Sequence, residues 1–176
     1  MIGTTRAQDA SQPAAALAGS AQPALRRVLV PVDGSPLAEA VLPFVAAWAA
    51  PLGLEIVLVS VVPRVPPPLA EGAPEVIIDT MERLRMETDA YVTALATRIG
   101  GTGLPVLTDV RIGDVPAQIL EAADAWQADV IAMTTHGRTG LSRLAFGSVA
   151  EEVLRHARVP VLVKRVQETK AQRSAA

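Results

Sequence analysis

The residues best suited to chemistry lie between Thr134 and Ser148, TTHGRTGLSRLAFGS, which read as the end of a strand, a glycine-containing loop and the start of a helix. Such an arrangement binds phosphate. Backbone N–H groups of the loop and the unpaired donors of the following helix N-terminus form an anion site without any basic side chain. Arg138 and Arg143 lie in the same loop and either add positive potential or are solvated. A second set, Pro31-Val32-Asp33-Gly34-Ser35, follows the first apolar run. There Asp33 either offers an acceptor to a base amino group or ribose hydroxyl, or acts locally as a turn former or helix cap.

Other chemistries are poorly represented. The chain has no cysteine and two histidines, which removes disulfides, zinc-thiolate sites and thiol catalysis and leaves no His-rich metal site. No G-x-S-x-G elbow, H-E-x-x-H helix or G-x4-G-K-S/T loop is present. A phosphoacceptor receiver domain would need an acceptor Asp after strand three and a Lys ending strand five. Here Gly113-Asp114 reads as a helix cap, and Lys164 sits inside an apolar strand. With 18 acidic and 16 basic residues and no long block of either sign, bulk charge recruits neither nucleic acid nor an anionic membrane. Nor does any apolar run approach the roughly 18 residues of a spanning helix.

These residues need a scaffold, and 176 residues suffice for one ordinary domain. From Arg26 onward, short β-branched runs alternate with longer amphipathic ones. Val28 to Val32 and Glu55 to Val62 are nearly continuous apolar runs, as in parallel strands buried on both faces. Val106 to Ile112 alternates more and reads as nearer an edge; Asp129 to Met133 and Val159 to Lys164 complete five strands. Four helices are expected between them. One starts at Ser35-Pro36, carries Leu37, Val41, Phe44 and Trp48 on one face, and is kinked by Pro43. A second runs from about Glu75 to Ile99, and a third starts at Asp114 and buries Ile119, Leu120 and Ala123. In the fourth, Ser148 and Glu151 have the spacing of a capping box.

Strand–helix alternation predicts a doubly wound α/β domain: one five-stranded parallel sheet, order 3-2-1-4-5, with helices on both faces. Ligands of open α/β sheets lie beyond the carboxyl ends of the strands, where strand order reverses. Adjacent strands one and four would therefore place Asp33 across a crevice from Thr134 to Gly137. Residues 1–25, rich in Ala, Ser, Gln, Thr and Pro, read as a disordered tail, 26–166 as the domain and 167–176 as a flexible tail. Pro63 to Pro74 is a long connection stiffened by Pro66, Pro67 and Pro68.

Three segments resemble the universal stress protein family: VLVPVDGS from Val28, THGRTGLSRLAFGSVAEEVLRHA from Thr135, and VPVLVKR from Val159. The resemblance covers Arg26 to about Val166. The family's nucleotide-binding branch carries a pattern G-x2-G-x9-G-S/T. Gly137, Gly147 and Ser148 supply its second and third glycines and its hydroxyl, while Thr134 stands at the first glycine. That side chain either crowds the ribose or adds a hydroxyl contact. The resemblance implies an ATP-binding stress regulator, with Mg or Mn as the metal partner and no side chain assignable to it. Asp33 and the Val61 backbone would meet adenine, flanked by Pro31 and Met133. Gly137, Gly147, Ser148, Val149 and Ala150 would hold the phosphates through main-chain donors. It further implies a cytoplasmic homodimer joined through strand five, and at most slow hydrolysis. The alternative is a module that binds no nucleotide and works through protein contacts.

Overall fold

A computed structural model of the chain describes residues 25–64, 74–101, 103–137 and 147–167. Residues 1–24 of the expected N-terminal tail, 168–176 of the expected C-terminal tail, Pro66 to Pro68, and the loop residues Arg138, Gly140 and Arg143 lie outside the described residues, while Gln167, expected in the C-terminal tail, ends the fifth strand. Five strands form one parallel sheet in the order β3-β2-β1-β4-β5, as the alternation predicts. They are β1 (Arg27–Pro31), β2 (Glu55–Pro63), β3 (Val106–Gly113), β4 (Val130–Gly137) and β5 (Val161–Gln167). Helices α1 (Pro36–Glu39), α2 (Leu42–Leu52), α3 (Pro74–Gly100), α4 (Val115–Ala125) and α5 (Ser148–His156) connect them. Among the described residues, no helix is long and apolar enough to cross a membrane.

Alternation of side chains along the strands divides the core in two. Even-numbered residues such as Val28, Val30, Ile56 and Leu58 pack with Val41, which precedes α2, Val45 and Ala49 of α2, and Val92 and Leu95 of α3. Their odd-numbered neighbours Leu29, Val57, Val59 and Ile131 meet Ile119 of α4 and Ala150 and Val153 of α5. Because β1 is flanked by β2 and β4 and covered on both faces, Val28, Leu29 and Val30 have no exposed surface. That burial explains the unbroken apolar run in a central strand.

Three local expectations are corrected. First, the helix after Ser35 is two helices. Ser35 caps α1 by accepting from Ala38 N at 3.1 Å, but α1 ends at Glu39, and Pro43 occupies the first turn of α2. A proline there lacks only an N–H that would be unpaired anyway, whereas inside one continuous helix it would clash with the preceding turn. Phe44, expected on the buried face, is exposed. Second, β4 continues to Gly137 instead of stopping near Met133, because Thr134, Thr135, His136 and Gly137 pair with Lys164, Arg165, Val166 and Gln167. Third, the capping box does not form: Gly147 is the N-cap of α5 and no side chain caps it.

Helix α1 is short and held from outside. Tyr91 of α3 donates to Glu39 Oε1 at 3.0 Å, and Arg98 pairs with the other carboxylate oxygen. Burial, with the Glu39 carboxylate as acceptor, pushes the Tyr91 phenol up to about 12. On the other side, Thr134 Oγ1 donates to the Leu37 carbonyl at 2.8 Å and Lys164 Nζ to the Ala40 carbonyl at 2.8 Å. These two donors are register partners on β4 and β5, so adjacent strands anchor the end of α1: Lys164 bonds the Ala40 carbonyl, and Thr134 adds a second donor to the Leu37 carbonyl, which also accepts from Ala40 N at 3.1 Å.

Candidate functional site

The crevice follows from strand pairing. β1 and β4 pair only at Val28 with Val130 and Leu29 with Ile131. Beyond that point β1 stays with β2, Val32 N donating to Val59 O at 2.8 Å, while β4 follows β5. The gap opens into a cavity of about 600 Å³, within the range of small-ligand sites. Its walls come from the ends of β1, β2 and β4, from Leu37 and Ala38 of α1, Leu84 and Thr88 of α3, Val115 and Ile119 of α4, and the start of α5.

Nine of the ten residues singled out from sequence line this one cavity: Pro31, Asp33, Val61, Met133, Thr134, Gly147, Ser148, Val149 and Ala150. The tenth, Gly137, closes β4 opposite Gln167, and the loop after it lies outside the described residues. Residues 33 and 134, distant in the chain, thus reach one hollow because β1 and β4 are neighbours.

Asp33 has a local role. Its Oδ1 accepts from Ser35 N at 2.9 Å, while Gly34 turns at φ 81, a left-handed value that glycine adopts without strain. A carboxylate has a second oxygen, and the exposed Asp33 can serve turn and ligand together. The two readings of this residue are compatible.

The start of α5 is open. Only Glu151 N, bonded to Gly147 O at 2.9 Å, closes the first helical turn. By helix geometry the N–H groups of Ser148, Val149 and Ala150 have no intrahelical acceptor, and no side chain supplies one. Glu151 and Glu152, which would compete with an anion at this end, are drawn toward the other. Glu151 pairs with Arg155 at 2.8 Å and Glu152 with His156 at 3.3 Å, both one turn further along. Backbone donors with an axial dipole favour an anion.

Comparison with known proteins identifies the same architecture. The profile of the universal stress protein family matches residues 24–165. The chain belongs to the universal stress protein family. Universal stress protein MJ0531 of Methanocaldococcus jannaschii is 33% identical over 141 residues, spanning 78% of this chain and 81% of that protein. The solved structure of hypothetical protein MJ0577, from the same organism, superposes with a TM-score of 0.69 at 25% identity, covering 82% of this chain and 98% of that one. A universal stress protein of Archaeoglobus fulgidus in complex with dAMP superposes with a TM-score of 0.56 at 23% identity, covering 79% and 96%.

In this universal stress protein, Thr134 at the first glycine of the pattern neither swings freely nor stays unpaired, since its hydroxyl is committed to Leu37 O. Among the residues that sequence reading passed over are Leu84 and Thr88 of α3, Val115 and Ile119 of α4, and Thr135 of β4. Thr135 was detectable in principle, because period-two alternation puts it on the same face as Met133. The others carry no motif; they reach the cavity through helix packing alone.

Proposed function

We propose that this universal stress protein binds an adenine nucleotide and acts as a nucleotide-responsive regulator with little or no hydrolysis. The observation that carries the proposal is the convergence of Asp33, Met133 and the open N-terminus of α5 on one cavity of about 600 Å³. Asp33 would accept from the base or ribose, Pro31, Val61 and Met133 would pack on the base, and the donors of Ser148, Val149 and Ala150 would hold phosphate. The dAMP complex of the Archaeoglobus fulgidus protein supports the class of ligand. ATP accompanied by Mg or Mn is the proposed form. Among the described residues, no group of three or more His, Cys, Asp or Glu side chains could hold a metal ion. The cation would therefore be carried by the phosphates and water, as hydrated Mg often is.

The test is to denature purified protein, identify any released nucleotide by mass, and titrate the emptied protein with Mg-ATP by calorimetry. Stoichiometric nucleotide or saturable micromolar binding is expected. Absence of both, with the fold verified, would favour the second reading, a module that works through protein contacts. One feature favours that reading: Thr134 puts a side chain where the nucleotide-binding pattern has glycine.

The proposed setting is cytoplasmic and the proposed assembly a homodimer through β5. β5 is an edge strand, with β4 on one side only, and Val161, Leu162 and Val163 are half-buried in the single chain. An apolar edge of this kind needs a partner or protection. Sedimentation at micromolar concentration should report twice the chain mass; a monomer throughout that range would overturn the dimer.

A further inference from the structure

We propose that Thr135 is a ligand-contacting residue, its hydroxyl donating to an anionic oxygen held at the start of α5. The inference rests on the nucleotide reading of the same cavity and adds a side-chain donor to a site otherwise built from backbone.

Three observations carry it. Thr135 is only 4% exposed, yet its Oγ1 has no hydrogen-bond partner among the described residues. A buried hydroxyl left unpaired is costly, and proteins seldom keep one without a use. Thr135 also lines the cavity, alongside Gly147, Ser148, Val149 and Ala150. Finally, it follows Met133 on the strand face covered by α4 and α5, beneath the first turn of α5 where three N–H groups lack intrahelical acceptors.

The adjacent threonine provides the contrast. Thr134, on the opposite face, has its hydroxyl satisfied by Leu37 O at 2.8 Å and has nothing left to donate. Thr135 has a spare proton next to a region of unpaired donors and no hydrogen-bond partner among the described residues. Rotation about χ1 exchanges the positions of its hydroxyl and methyl, and both common strand rotamers are open to a residue in β4. An incoming acceptor would fix the hydroxyl toward the cavity. The group it suits is a phosphate oxygen, because the unpaired N–H groups beside it at the start of α5 are donors as well and can share an anionic acceptor with it.

The test compares Thr135→Val, which keeps the shape and removes the hydroxyl, with Thr135→Ser, which keeps the hydroxyl. Mg-ATP and adenosine are titrated by calorimetry into each protein and the wild type, and the ligand-free proteins are melted. T135V should melt higher than wild type when empty, since it removes an unpaired buried hydroxyl. It should bind ATP about tenfold more weakly, the loss of one hydrogen bond to a charged group. Adenosine, which has no phosphate, should bind T135V and wild type alike, and T135S should keep ATP affinity within about twofold. Unchanged ATP affinity in T135V, or an equal loss in T135S, overturns the inference while leaving the nucleotide reading intact. A wild type that binds no ATP overturns both.

Discussion

Replacing Gly147 with leucine should abolish nucleotide binding while leaving the fold almost unchanged. Gly147 caps α5 at φ −57 and ψ 153, a conformation open to any residue. A Cβ added there meets nothing within 4 Å among the described residues, which leaves room for a side chain. The ligand does not, because Gly147 lines the cavity at the mouth of α5. A leucine would stand over the N–H groups of Ser148, Val149 and Ala150. Hydrogen bonds to charged groups contribute about 1.5–3 kcal/mol each, so losing access to two of them predicts at least about a hundredfold weaker binding. Calorimetry with Mg-ATP and thermal unfolding of the same samples check both halves of the prediction. Wild-type affinity in the variant would remove the start of α5 from the ligand site.

Asp33→Asn should reverse base preference without disturbing the turn. The Asn side-chain oxygen can accept from Ser35 N as Asp33 Oδ1 does at 2.9 Å. Flipping the amide would set its NH2 against that N–H, so the turn pins the orientation and directs a donor at the ligand. A contact between Asp33 and the adenine 6-amino group would become donor facing donor, and ATP should bind about tenfold to a hundredfold more weakly. Inosine triphosphate, with an acceptor at the same place, should gain relative to ATP. Competition titrations of the two nucleotides measure the shift. A ribose hydroxyl contact predicts a different outcome, since a hydroxyl both donates and accepts: ATP and inosine triphosphate would then change together. No change with either nucleotide would confine Asp33 to its turn.

Several features of the fold were legible because they are local. Strand β1 is apolar at every position from Val28 to Val30 since a central strand is buried on both faces, and the same logic marks β2. The third strand alternates more than these two, and it lies at an edge. Asp114 reads as a helix cap and acts as one, accepting from Ala117 N at 3.1 Å. These signals depend on residues within one turn or one strand of each other.

The misreadings have the opposite character. Pro43 announces a disturbance near Glu39 but not that the helix divides there, because two of the donors that hold the end of α1, Thr134 and Lys164, are 97 and 124 residues away in the chain. The sequence Thr134-Thr135-His136-Gly137 leads into a glycine-containing loop, yet it is strand because β5 supplies a ladder alongside it. Ser148 and Glu151 have capping-box spacing, but Glu151 pairs with Arg155 and Gly147 takes the cap. A motif states which hydrogen bonds are available, and competition among partners decides which of them form.

By itself the sequence determined the family, the five-stranded order of the sheet, and a set of ten site residues of which nine meet in the cavity. Apolar period, glycine spacing and cap residues act over a few positions and are written directly in the chain. Only the tertiary structure decided that Asp33 keeps its turn while facing the cavity, that the Thr134 hydroxyl is taken by Leu37, and that the Thr135 hydroxyl is left buried and unpaired. Whether a polar atom is satisfied depends on groups brought together from opposite ends of the chain, and that is settled by packing rather than by neighbours in sequence.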